Sequence, residues 1–184
     1  MFMEKPKIIA IVGMPGSGKS IAADFFRGKG IPVLRFGDQT DIGLKEQGLP
    51  LTEANERKYR EDLRRDLGMA AMAIKIEPRI RKALESNPTV VLDGLYSWEE
   101  YILLKDKFFD FLLLCIWAPP EVRYTRLGKR ALRPLTREEA QGRDIAEIEK
   151  LNKGGPIAKA DYLIKNDGSK DDFLKELEAF YASL

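Results

Sequence analysis

The chain has 184 residues, of which 44% are hydrophobic and 33% charged, and its formal net charge is +2. These values are typical of one globular domain with a buried core, and the balanced charge argues against a nucleic-acid-binding protein. The chain contains no histidine and a single cysteine, Cys115, which excludes Ser-His-Asp triads, Cys-His pairs, histidine-ligated metals and an internal disulfide.

Buried strands alternate with helices along the chain. Continuous apolar runs, typical of strands covered on both faces, predict five strands at 8–12, 31–36, 89–93, 111–116 and 160–164. Helical patterns are predicted at 21–29, 52–84, 97 onward, 119–130, 136 onward and 169–183. The 52–84 region is interpreted as two helices, because Gly68 interrupts it and Pro78 kinks or caps a helix. The segment 37–51 is predicted to be loop-like, with scattered helical signals.

Strands separated by helices predict an α/β fold, in which a five-stranded parallel sheet carries helices on both faces. In such sheets, ligands bind beyond the carboxyl ends of the strands. These ends carry Gly13, Asp38, Asp93 and Pro119, and the last strand is followed by residues 166–168. We therefore expect a three-layer α/β/α fold with its functional site along this edge of the sheet.

The loop after the first strand reads Gly-Met-Pro-Gly-Ser-Gly-Lys-Ser over residues 13–20 and matches the pattern GxxxxGK[ST]. The glycines let backbone N–H groups converge on phosphate oxygens, Lys19 reaches the terminal phosphates, and the Ser20 hydroxyl ligates Mg²⁺. The sequence therefore predicts a phosphate-binding loop, the P-loop. The residues expected to contact the nucleotide there are Gly13, Met14, Pro15, Gly16, Ser17, Gly18, Lys19, Ser20 and Ile21.

Two aspartates follow predicted strands. Asp93 occupies the usual position of the acid that holds magnesium or its water ligand, although acids and glycines commonly end strands. Asp38 lies across the expected crevice, where a carboxylate can orient an acceptor hydroxyl or take its proton. The alternative interpretation of Asp38 is a loop aspartate that caps Thr40 or a neighbouring turn.

Two groups of basic residues stand out. The first consists of Arg123, Arg126, Lys129, Arg130, Arg133, Arg137 and Arg143. Helical spacing places Arg123, Arg126 and Arg130 on one face, and arginines on a closing flap would stabilise a transferring phosphoryl group. The alternatives are a solvated basic face or a nucleic-acid patch. The second group consists of Arg57, Lys58, Arg60, Arg64 and Arg65. Most of its side chains are expected to form surface ion pairs, and one or two arginines to hold an acceptor phosphate.

Targeting and membrane signals are weak. Residues 1–5 lack the pattern of a signal peptide, and the longest apolar run, 108–118, contains Asp110. That run is far shorter than the roughly 20 residues that cross a bilayer. We therefore expect a cytoplasmic protein without membrane association, either a monomer or a weak homodimer.

The chain resembles the nucleoside monophosphate kinase group, and within it dephospho-CoA kinase and an uncharacterised archaeal-type family related to adenylate kinase. Residues 13–19 are similar to adenylate kinases and to the archaeal-type family, and residues 48–52 resemble the latter. Residues 30–34 with Asp38 resemble the second strand of dephospho-CoA kinases. Residues 160–169 resemble the C-terminal strand of those kinases and the loop that borders the ATP base.

The resemblance implies a single P-loop NTPase domain over residues 1–184, with a helical acceptor-binding insert at about 38–85 and a short lid at about 126–137. The core would comprise residues 6–37, 88–125 and 138–184. The resemblance also implies roles for Lys19 and Arg130 at the transferring phosphate and for Arg143 behind the lid. At the base it implies roles for Asn166, Asp167 and Gly168.

The sequence departs from these families at the acceptor side. Adenylate kinases follow the Asp-Gly of the third strand with an aromatic residue, Pro and Arg, whereas here Leu95-Tyr96-Ser97 follows and the arginine is missing. Dephospho-CoA kinases place Asp-x-Asp after the second strand, whereas here Asp38 stands alone. The resemblance therefore implies the fold and ATP, but not the acceptor.

From these features we expect an ATP- and Mg²⁺-dependent phosphotransferase whose acceptor is a nucleoside monophosphate or the ribose hydroxyl of dephospho-CoA. The expected catalytic residues are Lys19, Asp38, Arg126 and Arg130. The expected acceptor-binding residues are Asp38, Arg64, Asp93, Gly94, Tyr96 and Arg143, and the expected metal ligands are Ser20 and Asp93. Two other interpretations stay open: a nucleotide-binding regulatory ATPase module without a small-molecule acceptor, and a kinase of nucleic-acid ends that uses the basic flap.

Overall fold

The computed structural model describes residues 8–184. The expected start of the core at residue 6 and the segment inspected for a signal peptide lie outside this range. The elements in chain order are β1 (Ile8–Val12), α1 (Lys19–Gly28), β2 (Val33–Arg35), α2 (Asp38–Glu46), α3 (Glu53–Leu67), α4 (Ala71–Leu84), β3 (Val90–Asp93), α5 (Trp98–Lys107), β4 (Phe111–Trp117), α6 (Pro120–Gly128), α7 (Arg137–Leu151), α8 (Gly154–Ala158), β5 (Tyr162–Lys165) and α9 (Lys170–Ser183).

The five strands form one parallel sheet in the order β2-β3-β1-β4-β5. The central strand β1 pairs with β3 on one side and β4 on the other, so that Ile9 lies beside both Val91 and Leu112. All five residues of β1 are buried, as the continuous apolar run predicted. The predicted α/β fold with a five-stranded parallel sheet is confirmed.

Two apolar layers cover the sheet, because alternate residues of a strand point to opposite faces. Ile8, Ala10 and Val12 pack in the layer that contains α4 and α5. Ile9 and Ile11 pack in the opposite layer, where α1 and α9 supply the helical side chains. The three-layer arrangement brings the loops after β1, β3 and β4 to one edge of the sheet.

The helical segment after β2, which the resemblance predicts to be an insert at about 38–85, comprises α2, α3 and α4. Met72, Ala73, Ile76 and Ile80 of α4 are buried in the same cluster as the strands, so α4 is a layer of the core. The α3 helix, in contrast, has no fully buried residue. Leu63 of α3 is partly buried and packs against the same cluster, so α3 is also attached to the core.

The predicted loop at 37–51 is wrong over most of its length, because residues 38–46 form α2. Glycine, threonine and aspartate are poor helix formers, which hid this helix from sequence reasoning. Tertiary packing stabilises it: Leu44 is fully buried, and Gly43 lies directly against the ring of Tyr59 in α3. A side chain at position 43 would overlap that ring, so the two helices depend on this glycine.

Most other helix boundaries agree with the sequence. Ser97 with Glu100 and Thr136 with Glu139 form the capping boxes that open α5 and α7, as predicted for both starts. The short helix α8 was not predicted. Within residues 8–184, no helix combines the length and the hydropathy that a membrane crossing requires.

Candidate functional site

The loop between β1 and α1 is held in a conformation that requires glycine. Gly13 and Gly18 have φ angles of 144° and 107°, which L side chains rarely adopt. A side chain at Gly13 would also overlap the carbonyl oxygen of Ile116, and one at Gly18 would overlap the amide of Asn166. The glycines therefore let the loop lie tightly against β4 and the end of β5.

Side chains from other parts of the chain donate hydrogen bonds to the carbonyl groups of this loop. Arg123 donates to the carbonyl oxygen of Pro15 (3.1 Å), and Asn166 Nδ2 donates to that of Ser17 (2.7 Å). Because α1 begins at Lys19, the first N–H groups of the helix have no intrahelical acceptor. The loop therefore presents backbone donors and a helix N-terminus, the arrangement that binds phosphate oxygens.

Arg123 holds elements of the fold together and does not share a ligand-facing helical face with Arg126 and Arg130, contrary to the expectation from their spacing. It is 4% exposed and forms two hydrogen bonds with Asp144 of α7, at 2.9 and 2.5 Å. The α6 helix ends at Gly128, so Arg130 lies beyond it rather than on the same helical face. Arg123 joins α6, α7 and the phosphate loop, and other arginines are left for the ligand.

A cavity of about 480 Å³ opens above the loop. Its charged lining consists of six cations, Lys19, Arg35, Arg126, Arg130, Arg143 and Lys153, and two carboxylates, Asp93 and Glu147. Burial, followed by the proximity of Arg143, lowers the pKa of Arg130, so the cations are crowded as well as numerous. Such a surplus of positive charge in a concave site fits a polyanionic ligand.

Lys19 shows this crowding most strongly. Its ammonium group donates to the carbonyl oxygens of Gly13 (2.8 Å) and Met14 (3.1 Å). Burial lowers its pKa to about 7, and the nearby Lys153 acts in the same direction. A bound phosphate would oppose both effects, because it replaces the lost solvation with a negative charge.

Ser20 and Asp93, the predicted magnesium ligands, line the same cavity. Within residues 8–184, no group of three or more carboxylate or cysteine side chains forms a metal site. Mg²⁺ suits this arrangement, because it is usually held by one or two protein oxygens together with phosphate oxygens and waters. Burial raises the pKa of Asp93, against the opposing influence of Lys19 and Arg35.

A second cavity of about 510 Å³ lies between the sheet, α3 and α7. Its charged lining consists of Arg57, Arg60, Arg64, Arg133, Arg143, Glu53, Glu56 and Glu147. Four residues line both cavities, and they mark the junction: Gly37, Tyr96, Arg143 and Glu147. The structure therefore offers two adjoining spaces, one above the phosphate loop and one beside the helical insert.

The predicted acceptor-binding residues are divided between these spaces. Asp93 and Gly94 line the first cavity, Arg64 lines the second, and Tyr96 and Arg143 line both. Asp38 lines neither cavity. It forms ion pairs with Arg35 (3.6 Å) and Arg79 (3.5 Å) at the start of α2.

The predicted base-binding segment lies beside the loop. Asn166 is buried, and its carbonyl oxygen and Oδ1 accept hydrogen bonds from Arg126, at 2.9 and 3.2 Å. Asp167 pairs with Lys165 (2.7 Å), and Gly168 precedes α9. None of the three lines the first cavity, whereas Arg126 does.

Sequence reasoning missed three residues of the site. Arg35 ends β2 at the ligand-binding edge, a position that could have identified it. Glu147 and Lys153 had no local signal. Lys153 is 1% exposed, is ion-paired with Glu147 and lies 4.4 Å from the ring centroid of Tyr96, so only the tertiary fold reveals it.

The sheet order, the glycine-rich loop and its Lys19 define a P-loop nucleotide-binding protein. The sequence matches the family described as AAA domain over residues 9–148 and belongs to it. The chain also belongs to the UPF0200 protein family. It is 35% identical to a UPF0200 protein of Thermococcus gammatolerans, over 93% of this chain and 92% of that one. It is 38% identical to one of Methanoculleus marisnigri, over 97% of both.

Solved structures share the fold over nearly the whole chain. TT1252 from Thermus thermophilus is 26% identical, with a TM-score of 0.64 over 98% of both chains. Shikimate kinase from Bacteroides thetaiotaomicron is 14% identical, with a TM-score of 0.62 over 96% of this chain and 98% of that one. Dephospho-CoA kinase from Campylobacter jejuni is 16% identical, with a TM-score of 0.57 over 98% of both. The architecture is therefore that of P-loop kinases.

Proposed function

We propose that the protein is an ATP-dependent phosphotransferase that moves the γ-phosphoryl group to a small nucleotide-like acceptor, either a nucleoside monophosphate or dephospho-CoA. One observation carries this proposal: a second cavity of about 510 Å³ adjoins the phosphate-loop cavity and is lined by five arginines. A nucleotide-binding module that only switches has no need of a second anion-binding space of small-molecule size.

The first cavity would hold the nucleotide. The loop N–H groups and Lys19 would bind the β- and γ-phosphates, and Arg126 and Arg130 line the space that the γ-phosphate would occupy. Ser20 and Asp93 would hold Mg²⁺, which neutralises the charge that develops on the phosphates. Asn166 supports the loop through Ser17, and the segment 166–168 would border the base.

The second cavity would hold the acceptor. Arg64, Tyr96 and Arg143 line it, and the last two also line the nucleotide cavity. Transfer requires the two substrates to meet at this junction with water excluded, so positioning and charge neutralisation supply most of the catalysis. Small-molecule kinases among the solved structures of the same fold, shikimate kinase and dephospho-CoA kinase, support this class of reaction.

The test is an ADP-release assay with ATP and Mg²⁺ across the common nucleoside monophosphates and dephospho-CoA. We expect one acceptor to stimulate ADP release, and we expect Lys19→Ala to abolish the stimulation. ATP hydrolysis that no acceptor stimulates, together with nucleotide-dependent binding of a protein partner, would instead support the regulatory ATPase module.

A further inference from the structure

The junction of the two cavities contains a single carboxylate among the described residues, Glu147. It lies on α7 and is 5% exposed. Any group that passes from a nucleotide in the first cavity to an acceptor in the second must cross this junction. The chemistry of Glu147 therefore limits what can react there.

Two cations fix the carboxylate in place. Arg143 Nε donates to Glu147 Oε1 at 3.2 Å, and Lys153 Nζ donates to Glu147 Oε2. An ionised carboxylate has about four lone-pair sites, so both oxygens can accept further hydrogen bonds. It cannot donate one. Its next partner is therefore a donor such as a hydroxyl group, whereas an ionised phosphate oxygen would meet a like charge.

Two residues that line only the second cavity offer the opposite chemistry. Thr40 Oγ1 and Arg64 Nε are buried without a hydrogen-bond partner, and both residues line the second cavity but not the first. Arg60 is paired with Glu56 (3.5 Å), whereas Arg57, Arg64 and Arg133 form no ion pair within residues 8–184. Unsatisfied donors beside unpaired guanidinium groups are suited to the oxygens of an anion.

From this polarity we infer that the acceptor is a hydroxyl-bearing anion, which reacts through its hydroxyl at Glu147 and is held by a phosphate or carboxylate at Thr40 and Arg64. The inference rests on the proposed phosphotransferase function. The acceptor oxygen forms a bond to the γ-phosphorus, the bond from that phosphorus to the β,γ-bridging oxygen breaks, and ADP leaves with the electron pair. The hydroxyl proton passes to Glu147 and then to water.

The identity of the product gives the first test. ATP and Mg²⁺ are incubated with AMP, dephospho-CoA, shikimate, gluconate or uncharged glycerol, and the products are identified by ³¹P NMR. AMP offers both a phosphate oxygen and ribose hydroxyls, so its product is informative by itself. We expect a phosphate ester on a carbon-bound oxygen of an anionic acceptor, and at least tenfold less product from glycerol.

A phosphoanhydride product, or equal transfer to glycerol, would overturn the inference and leave the proposed function intact. If no acceptor gives product while ATP hydrolysis persists in the wild type and is lost in Lys19→Ala, the proposed function fails, and the inference fails with it. The two failures are therefore distinguishable in one set of assays.

Variants test the role of Glu147 and the anion subsite separately. Glu147→Gln should lower kcat at least 100-fold and change the acceptor KM less than threefold. Because this change leaves Lys153 buried without its partner, the double variant Glu147→Gln with Lys153→Met supplies a neutral pair, and it should show the same loss of kcat with a retained fold. Glu149→Gln, an exposed carboxylate on the same helix that lines neither cavity, is the control. A kcat for the double variant within tenfold of wild type would overturn the role of Glu147.

Thr40→Val and Arg64→Met should each raise the acceptor KM at least tenfold with kcat within threefold of wild type. Thr40→Val keeps the shape of the side chain and removes no hydrogen bond within the protein, so a structural role for Thr40 predicts no change in KM. Arg65→Met is the matched control, since Arg65 pairs with Asp62 (2.6 Å) on the same helix. An unchanged KM in both Thr40→Val and Arg64→Met would overturn the anion subsite.

Discussion

The two cavities differ in the structural elements that form them. Beside its charged side chains, the phosphate-loop cavity is formed by backbone groups and the ends of strands, and Gly13 and Gly18 of the loop have φ angles that other residues rarely adopt. Long side chains form much of the second cavity, and several of them lie on α3, a helix with no fully buried residue. The first cavity is fixed by the core of the fold, whereas the second depends on side chains that the core does not require.

This difference separates recognition of the nucleotide from recognition of the acceptor. Substitution of an exposed arginine on α3 leaves the sheet and the loop unchanged, so acceptor specificity can vary without loss of the fold. Substitution in the loop alters its conformation directly. We therefore expect that single substitutions can disable the two cavities independently.

The largest effect is expected from Lys19→Ala. Lys19 is half-buried, contacts the loop carbonyls and begins α1, where the phosphates are expected, so its removal should lower phosphoryl transfer about 10³-fold. The control is Lys82→Ala, an exposed lysine on α4. Steady-state kinetics would measure both. Residual activity above about 10% in Lys19→Ala would contradict the assignment of the first cavity.

Two glycine substitutions should disable the cavities one at a time. Gly18→Ala places a Cβ against the amide of Asn166, and we expect it to weaken nucleotide binding at least tenfold and to destabilise the fold by about 1–3 kcal/mol. Gly43→Ala places a Cβ against the ring of Tyr59. We expect it to raise the acceptor KM and to destabilise the fold by a similar amount, with nucleotide affinity within twofold of wild type. Calorimetry and denaturant unfolding provide both readouts.

The matched control for both variants is Gly142→Ala. Gly142 lies in α7, and a Cβ at this position would meet no atom of another element within 4 Å. Alanine should therefore stabilise the helix by about 0.5–1 kcal/mol and leave binding unchanged. If Gly43→Ala weakened nucleotide binding as much as Gly18→Ala, the two cavities would not be independent.

A smaller effect concerns pH. The pKa of Lys19 is lowered to about 7 in the free protein, and a bound phosphate favours the protonated form. Nucleotide binding should therefore take up a proton, and affinity should fall about fivefold between pH 7 and pH 8. Titration calorimetry in two buffers of different ionisation enthalpy measures the uptake. Equal binding enthalpies in the two buffers, together with an affinity that does not change from pH 7 to pH 8, would contradict this prediction.

Another pH effect concerns stability, at a residue that lines neither cavity. Burial raises the pKa of Glu100 to about 7, above its ordinary 4.5, although Tyr96 and Ser97 donate backbone hydrogen bonds to it. The stability contributed by its protonated form is fully present below pH 4.5 and is lost as the pH rises through about 7. Glu100→Gln stays neutral, so its stability relative to wild type should rise by about 1–3 kcal/mol from pH 5 to pH 8.

Urea unfolding at the two pH values tests this prediction. The exposed Glu176→Gln on α9 is the control and should show no such change. A relative stability of Glu100→Gln that did not vary with pH would mean that the Glu100 carboxyl is already ionised in the folded protein at pH 5.

Most of the fold could be predicted from the sequence, because its signals are local. The strands are short apolar runs, and the capping boxes at Ser97 and Thr136 place two helix starts within one residue. The α2 helix could not be predicted, since it is stabilised by packing of Gly43 against Tyr59 and not by helix propensity. The packing of α4 against the sheet could not be predicted for a similar reason, because burial is a tertiary property.

The candidate site divides in the same way. The phosphate loop is a contiguous motif and could be recognised. The pair of Glu147 and Lys153 could not, because it forms only where Asn152, with a φ of 51°, ends α7 and turns the chain back. Asp38 follows β2 as the sequence indicated, yet its ion pairs with Arg35 and Arg79 hold it outside both cavities.

The hydrogen bond from Asn166 to Ser17 joins residues 149 positions apart. Its consequence concerns synthesis of the chain on the ribosome. The loop that would bind phosphate is made first, but the side chain that supports it from behind arrives only with the last strand. A nascent chain that ends before β5 therefore lacks this hydrogen bond, and the loop gains its full support when the final segment emerges.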